Sequence, residues 1–213
     1  MHERVIHEHA ARGDAVMRKL SHSCIAICGV GALGSHIALN LVKMGAQNLL
    51  LIDMDKVESR NLGTQTYGLE DVGRAKVETL RNTIFRESYV EVSVFNKELT
   101  EKNIDKVIGK TDLILDVFDN SASRKLVQRH ANEQSIDCLH AGVNEQYGEI
   151  VWNEKYTVPS DVGLDVCEYP LSRTLVLLVV ATAVETVMQY FASGEKNNYS
   201  ITLGDLKINR EER

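Results

Sequence analysis

The chain has 213 residues, 44% of them hydrophobic and 25% charged, close to the averages of globular domains. This excludes a collagen, a coiled coil or a mainly disordered chain, and the length suits one domain with a sizeable core. Lys and Arg number 24 against 30 Asp and Glu, a net charge of −6; that balance argues against nucleic-acid or membrane-surface partners while leaving room for a local basic site.

Residues 1–22 are polar, with Val5, Ile6, Val16 and Leu20 interspersed, and predict an amino-terminal helical segment of one or two amphipathic turns. They contain no signal-peptide apolar stretch. The longest apolar run, Leu175 to Val184, is about ten residues, short of a bilayer span. Both features predict a reduced, cytoplasmic location. Residues 24–29 form an apolar run closing in glycine, as in a buried parallel strand. Leu33, Ile37, Leu41 and Met44 then recur at helical spacing. Residues 48–55 read as a second buried strand ending in acids. Residues 56–75, with Gly63, Gly68 and Gly73, read as loop.

Further along, 76–87 suit a helix, 90–96 alternate like a strand, and 100–109 suit a short helix. Residues 112–119 read as a strand, 121–134 as a helix, 137–143 and 148–153 as strands. Both prolines fall in 155–173, a stretch with no regular pattern; a loop of that length inside a domain is usually functional. A helix over 174–192 and a hairpin or strand pair over 199–209 complete the chain. Trp152 and the Val/Leu stripe of 175–184 are expected in the core or on a dimer face, and His140 in the core or, failing that, lining the pocket. Strand–helix alternation predicts an α/β, Rossmann-like, mostly parallel sheet with helices on both faces and a carboxy-terminal strand or hairpin extension, all in one domain over 1–213.

Gly29-Val30-Gly31-Ala32-Leu33-Gly34 is a G-x-G-x-x-G that follows a strand and opens a helix. Glycines there permit a tight turn and close approach of phosphates, and the helix amino terminus presents unpaired N–H groups to an anion. Asp53 ends the next strand, placed to bind ribose hydroxyls. These features do not choose between a dinucleotide and ATP.

The stretch that follows, Asp53-Met54-Asp55-Lys56-Val57-Glu58-Ser59-Arg60-Asn61-Leu62-Gly63-Thr64-Gln65, resembles the D-x-D-x-V-x-x-S-N-L-x-R-Q segment of the ThiF/MoeB/HesA family, bacterial relatives of ubiquitin-activating enzymes. Asp71-Val72-Gly73-Arg74-Ala75-Lys76 resembles the family's D-I/V-G-x-x-K. Asp116-Val117-Phe118-Asp119-Asn120, with Arg124, resembles its D-x-x-D-N-x-x-x-R. The resemblance covers roughly residues 20–150 well and 165–193 more loosely.

It implies adenylation, with ATP and Mg²⁺, of the carboxy-terminal carboxylate of a small ubiquitin-like or sulfur-carrier protein ending in Gly-Gly, with release of pyrophosphate. By the same resemblance Gly29, Gly31, Gly34, Asp53, Asp55, Gln65 and Asn120 would bind the nucleotide; Arg60, next to Asn61, reads either as a further cation for it or as an exposed loop arginine. Asn61 would touch the phosphates or the metal, Lys76 would neutralise the phosphates, and Asp119 would ligate Mg²⁺. Cys167, shortly before the helix of 174–192, resembles the cysteine that takes the activated carbonyl in some relatives; a helix amino terminus and Arg173 would favour its thiolate and Glu168 oppose it. The family's dimers imply a homodimer.

Three departures stand out. Thr64 occupies the place of the arginine in N-L-x-R-Q. The amino-terminal arginine, often supplied by the partner subunit, has only Arg4, Arg12 and Arg18 as counterparts, with Arg12 favoured. The four cysteines, Cys24, Cys28, Cys138 and Cys167, form no Cys-x-x-Cys pair, so no zinc is expected; Cys24 and Cys28 read as core residues. A non-catalytic nucleotide-binding scaffold and an NAD-dependent oxidoreductase stand as alternatives, the second with little room for a substrate domain.

Overall fold

A computed structural model describes residues 3–160 and 170–211. Eight strands form one sheet in the order β3-β2-β1-β4-β5-β6-β7-β8. These are β1 Cys24–Cys28, β2 Asn48–Ile52, β3 Ser93–Phe95, β4 Leu113–Asp116, β5 Asp137–Asn144, β6 Tyr147–Trp152, β7 Asn198–Thr202 and β8 Lys207–Glu211. The first five pair in parallel, and β6, β7 and β8 add antiparallel. The mostly parallel Rossmann-like sheet and its carboxy-terminal hairpin match the expectation.

The helices are α1 Ile6–Arg12, α2 Asp14–His22, α3 Ala32–Met44, α4 Lys76–Ser88, α5 Ile104–Ile108, α6 Ser121–Gln134 and α7 Arg173–Ser193. Alternation along each strand divides the core. Ile25 and Ile27 of β1, Leu49 and Leu51 of β2, and Leu113 and Leu115 of β4 join α2, α3, α4 and α7 on one face. Ala26, Cys28, Ile52 and Ile114 meet α5 and α6 on the other. Both faces are buried, which explains why these strands read as unbroken apolar runs.

The amino-terminal segment is two helices rather than a turn or two, broken at Gly13, whose φ of 80° suits glycine. β3 and α5 are shorter than read. Val90 and Val92 pack into the core without joining the ladder, and the Asn103 side chain accepts a hydrogen bond from the Thr100 N–H before α5 begins. Cys28 and Cys138 are buried, and burial pushes both thiols well up; Cys24 is only half-buried, at the start of its strand.

At 21 residues, α7 is about twice the apolar run seen in the sequence, and it is long and apolar enough to cross a membrane by length and composition. In the fold that surface is spent internally. Leu175, Val176, Val179, Val180, Ala183 and Val184 are buried, and Trp152 packs on Tyr190 with ring centroids 4.8 Å apart. The stripe read as core or dimer face is core.

Candidate functional site

The chain leaves β1 towards β2 on one side, and later enters β4 on the other. A crevice therefore opens at the carboxyl ends of β1 and β4, where open α/β sheets bind ligands. The G-x-G-x-x-G lies at this point. Gly29 has φ 94°, and a Cβ on it would lie 3.0 Å from the Val117 carbonyl at the end of β4. A Cβ on Gly34 would come within 1.9 Å of the Gly29 carbonyl, so only glycine lets α3 approach the turn. Around Gly31 the nearest atom to such a Cβ is Gln65 Nε2 at 3.8 Å, which leaves space over the start of α3. Gly31 is also the N-cap of α3 and offers no side chain to its first N–H groups.

Asp53 stands beside this loop, nearly buried. Its carboxylate accepts from the Val30 N–H at 2.9 Å and from the Asp55 N–H at 2.8 Å, so the loop and the end of β2 are held as one piece. Burial raises the Asp53 pKa above the usual carboxylate value, while Lys76 and the two N–H bonds pull against it. Lys76, 7% exposed at the start of α4, donates to Asp55 at 3.0 Å. Its backbone N–H donates to the Asp55 carbonyl. The bridge between Lys56 and Ala75 closes the loop between them. Gly29, Gly31, Gly34, Asp53, Asp55, Gln65 and Lys76 are thus brought together.

The other residues singled out in the sequence stand as follows. Asn61 accepts from the Glu58 N–H at 2.9 Å and closes the short turn before Leu62. Arg60 pairs with Glu58 at 2.8 Å, both exposed. Asn120 is the N-cap of α6, accepting from the Ser123 N–H, so its oxygen serves the helix. Asp119 is exposed just beyond β4, its carboxylate 3.5 Å from the Asn120 amide. Arg12 does not present a free fork: it grips Glu185 of α7 through two nitrogens, at 3.1 and 2.7 Å, and Glu8 through a third. Cys167 lies outside the described residues.

A buried cluster beneath the crevice was missed. Asp116 and His140 are register partners on β4 and β5, both 0% exposed, with His140 Nδ1 2.8 Å from the carboxylate. His140 Nε2 lies 2.8 Å from Asn153 Oδ1, and Tyr156 stacks on the imidazole at 3.8 Å. Arg124 completes the cluster, donating to the Tyr156 hydroxyl at 2.7 Å and the Ala141 carbonyl at 2.9 Å. Burial opposes its charge, but Asp116 and Tyr156 outweigh that and raise its pKa. So the first residues of the supposed loop, 155–160, are tied down, with Ser121 of α6 also donating to the Pro159 carbonyl. The available signal was that Asp116 and His140 fall at equivalent places on adjacent parallel strands.

The site fits a nucleoside triphosphate. It has an uncapped helix start, a cradle that a Cβ would narrow, a carboxylate at the end of β2 and a buried ammonium. The buried Gln65 Oε1 has no partner, and an amide offers a donor or an acceptor by flipping. Among the described residues no three His, Cys, Asp or Glu side chains could enclose a metal. Asp119 fits Mg²⁺ in the usual way, as one carboxylate beside phosphate oxygens.

Curated relatives include the ubiquitin-like modifier-activating enzyme 5 of Caenorhabditis elegans, 30% identical over 72% of this chain, and that of Drosophila melanogaster, 27% identical over 72%. The chain spans about two fifths of their length, 39% and 41%. Among solved structures, E. coli MccB with ATP superposes with a TM-score of 0.83 at 16% identity, covering 100% of this chain and 71% of MccB. PaaA superposes with a TM-score of 0.80 at 20% identity, covering 99% and 82%. These two likenesses establish the fold. The profile of the ThiF family matches residues 3–194, nearly the whole sequence, and the chain belongs to that family.

Proposed function

We propose that this chain adenylates the carboxy-terminal carboxylate of a small ubiquitin-like or sulfur-carrier protein ending in Gly-Gly. The supporting observation is the convergence of the glycine cradle, Asp53 and Lys76 on one crevice at the topological switch of the sheet, with Asp119 exposed just beyond the end of β4. The relatives named for ubiquitin-like modifier activation, and MccB solved with ATP, agree with this reading.

In the proposed reaction a carboxylate oxygen attacks the α-phosphorus of ATP. The bond from that phosphorus to the α,β-bridging oxygen breaks, giving an acyl-adenylate and pyrophosphate. Asp53 holds the ribose, and the N–H groups at the start of α3 meet phosphate oxygens. Lys76 places positive charge where the departing pyrophosphate gains negative charge. Asp119 would hold Mg²⁺, which supplies further charge neutralisation. Because the groups are fixed beforehand, catalysis is mostly positioning. Attack of the Cys167 thiolate on the acyl carbon of the adenylate, breaking the bond to the phosphate oxygen and releasing AMP, is a further proposed step, and Cys167→Ser would leave adenylation intact while abolishing a thioester.

The glycine cradle and Asp53 would serve a dinucleotide equally well; the buried Lys76 and the exposed Asp119 favour a triphosphate. Equilibrium binding tests the choice. MgATP should bind, NADH should not, and Lys76→Ala should weaken MgATP by about tenfold or more. Tight NADH binding with no MgATP binding would overturn the reading.

A further inference from the structure

The named groups of the site are short of positive charge. Asp53, Asp55 and Asp119 stand against Lys76, and that ammonium already bonds Asp55. A bound triphosphate adds several negative charges, most of them at its β- and γ-phosphates.

The segment 63–67 shows where that end would lie. The Tyr67 hydroxyl donates to the Val30 carbonyl at 2.7 Å, and the Val30 N–H donates to Asp53, so residue 67 marks the ribose side. Gln65 lies beside the space over Gly31. The Thr64 carbonyl is 3.1 Å from His36 Nε2, on the second turn of α3. The Gly63 carbonyl then accepts from Arg173 Nη1 at 2.9 Å. From Tyr67 back to Gly63 the segment runs along α3 away from Asp53, and Arg173 stands at its far end.

Arg173 is oddly placed for a structural residue. It is the first residue of α7 and exposed, a cation at the positive end of a helix, where the dipole disfavours it. Exposed Arg60 and Arg129 have carboxylate partners, Glu58 and Glu101, whereas Arg4, like Arg173, bonds a backbone carbonyl, that of Ser88. Among the described residues Arg173 forms no ion pair, and its side-chain bond is to a neutral carbonyl. Thr64, next to Gly63, brings no charge.

We propose that Arg173 is a phosphate-binding residue, placing its guanidinium on the β- and γ-phosphates of ATP from a helix remote in sequence from the glycine loop. This rests on the nucleotide reading above. One N–H of the planar group is used by Gly63, which aims the fork, and the others match phosphate oxygens. His36 registers the same charge: burial lowers its pKa first, and Arg173 lowers it further.

Equilibrium binding of MgATP and of AMP to the wild-type chain, Arg173→Ala, Arg173→Lys and the control Arg129→Ala tests this. Arg173→Ala should lose about tenfold or more in MgATP affinity and less than about twofold for AMP, which lacks the distal phosphates. Arg173→Lys should recover part of the loss, and Arg129→Ala should match wild type. Equal losses for ATP and AMP would mean that Arg173 only props the turn at Gly63; unchanged ATP affinity would mean that it touches no phosphate. Either result overturns the assignment while leaving the nucleotide reading standing. A wild-type chain that binds neither nucleotide overturns both. If Arg173→Ala does not fold, Arg173→Gln, which retains N–H donors without the charge, should show the same split.

Discussion

Gly34 carries the tightest steric demand at the site. The Gly29 carbonyl occupies the place where its Cβ would go, 1.9 Å away, and the contact is backbone, so no side chain can swing aside. Gly34→Ala should cost about 3 kcal/mol and abolish nucleotide binding by lifting α3 off the turn; a denaturant melt with MgATP titration checks both. His36 makes a pH prediction. Its folded pKa is lowered, chiefly by burial and further by Arg173. The unfolded chain therefore takes up a proton at a pH where the folded chain does not. Stability is full above the unfolded value of about 6.5 and is lost as pH falls from there towards the folded pKa. Melts from neutral to mildly acidic pH should show that drop in wild type and a shallower one in His36→Gln; equal slopes would contradict it. At this scale the glycines, Asp53 and Lys76 were legible because their spacing encodes their meeting. Asn61, Arg60 and Asn120 have partners within the chain, a turn, an ion pair and a cap, that use the same residue types as a ligand site. His140 was expected in the core and is buried there, but its meeting with Asp116 and Tyr156 was not foreseen, because it depends on strand register and on a return of chain that no local pattern marks.

Among the elements, α7 shows how burial is decided by neighbours. Its apolar length fits a membrane span as well as a core helix, and only the sheet beneath it settles the matter. Gly148 of β6 makes the fit possible: a Cβ there would come within 2.3 Å of Val179 Cγ2. Gly148→Ala should cost about 2 kcal/mol, lowering Tm by roughly 4–8 °C at this chain length, without changing MgATP affinity. A loss of affinity alone, with Tm unmoved, would contradict that role. The bidentate grip of Arg12 on Glu185 fastens α1 and α2 to this same helix, so the arginine expected to act across a dimer is engaged within its own chain. Element types were readable from periodicity. Their ends were less so, as at β3 and α5, because hydrogen-bond partners rather than side-chain pattern determine where a strand or helix stops.

For the whole molecule, one topological feature organises the function. The chain reverses its direction of strand addition between β1 and β4, and every group assigned to the nucleotide stands around that point. Arg173 reaches it from the far side, through a helix that also closes the core, so folding of the carboxy-terminal third and completion of the site are coupled. ATP–pyrophosphate exchange, run with Mg²⁺ and a panel of small ubiquitin-like and sulfur-carrier proteins ending in Gly-Gly, tests the central claim most directly. Exchange that depends on a carrier and disappears in Asp119→Ala is the result expected. MgATP binding with no exchange across the panel would contradict adenylation and leave a nucleotide-binding scaffold in its place.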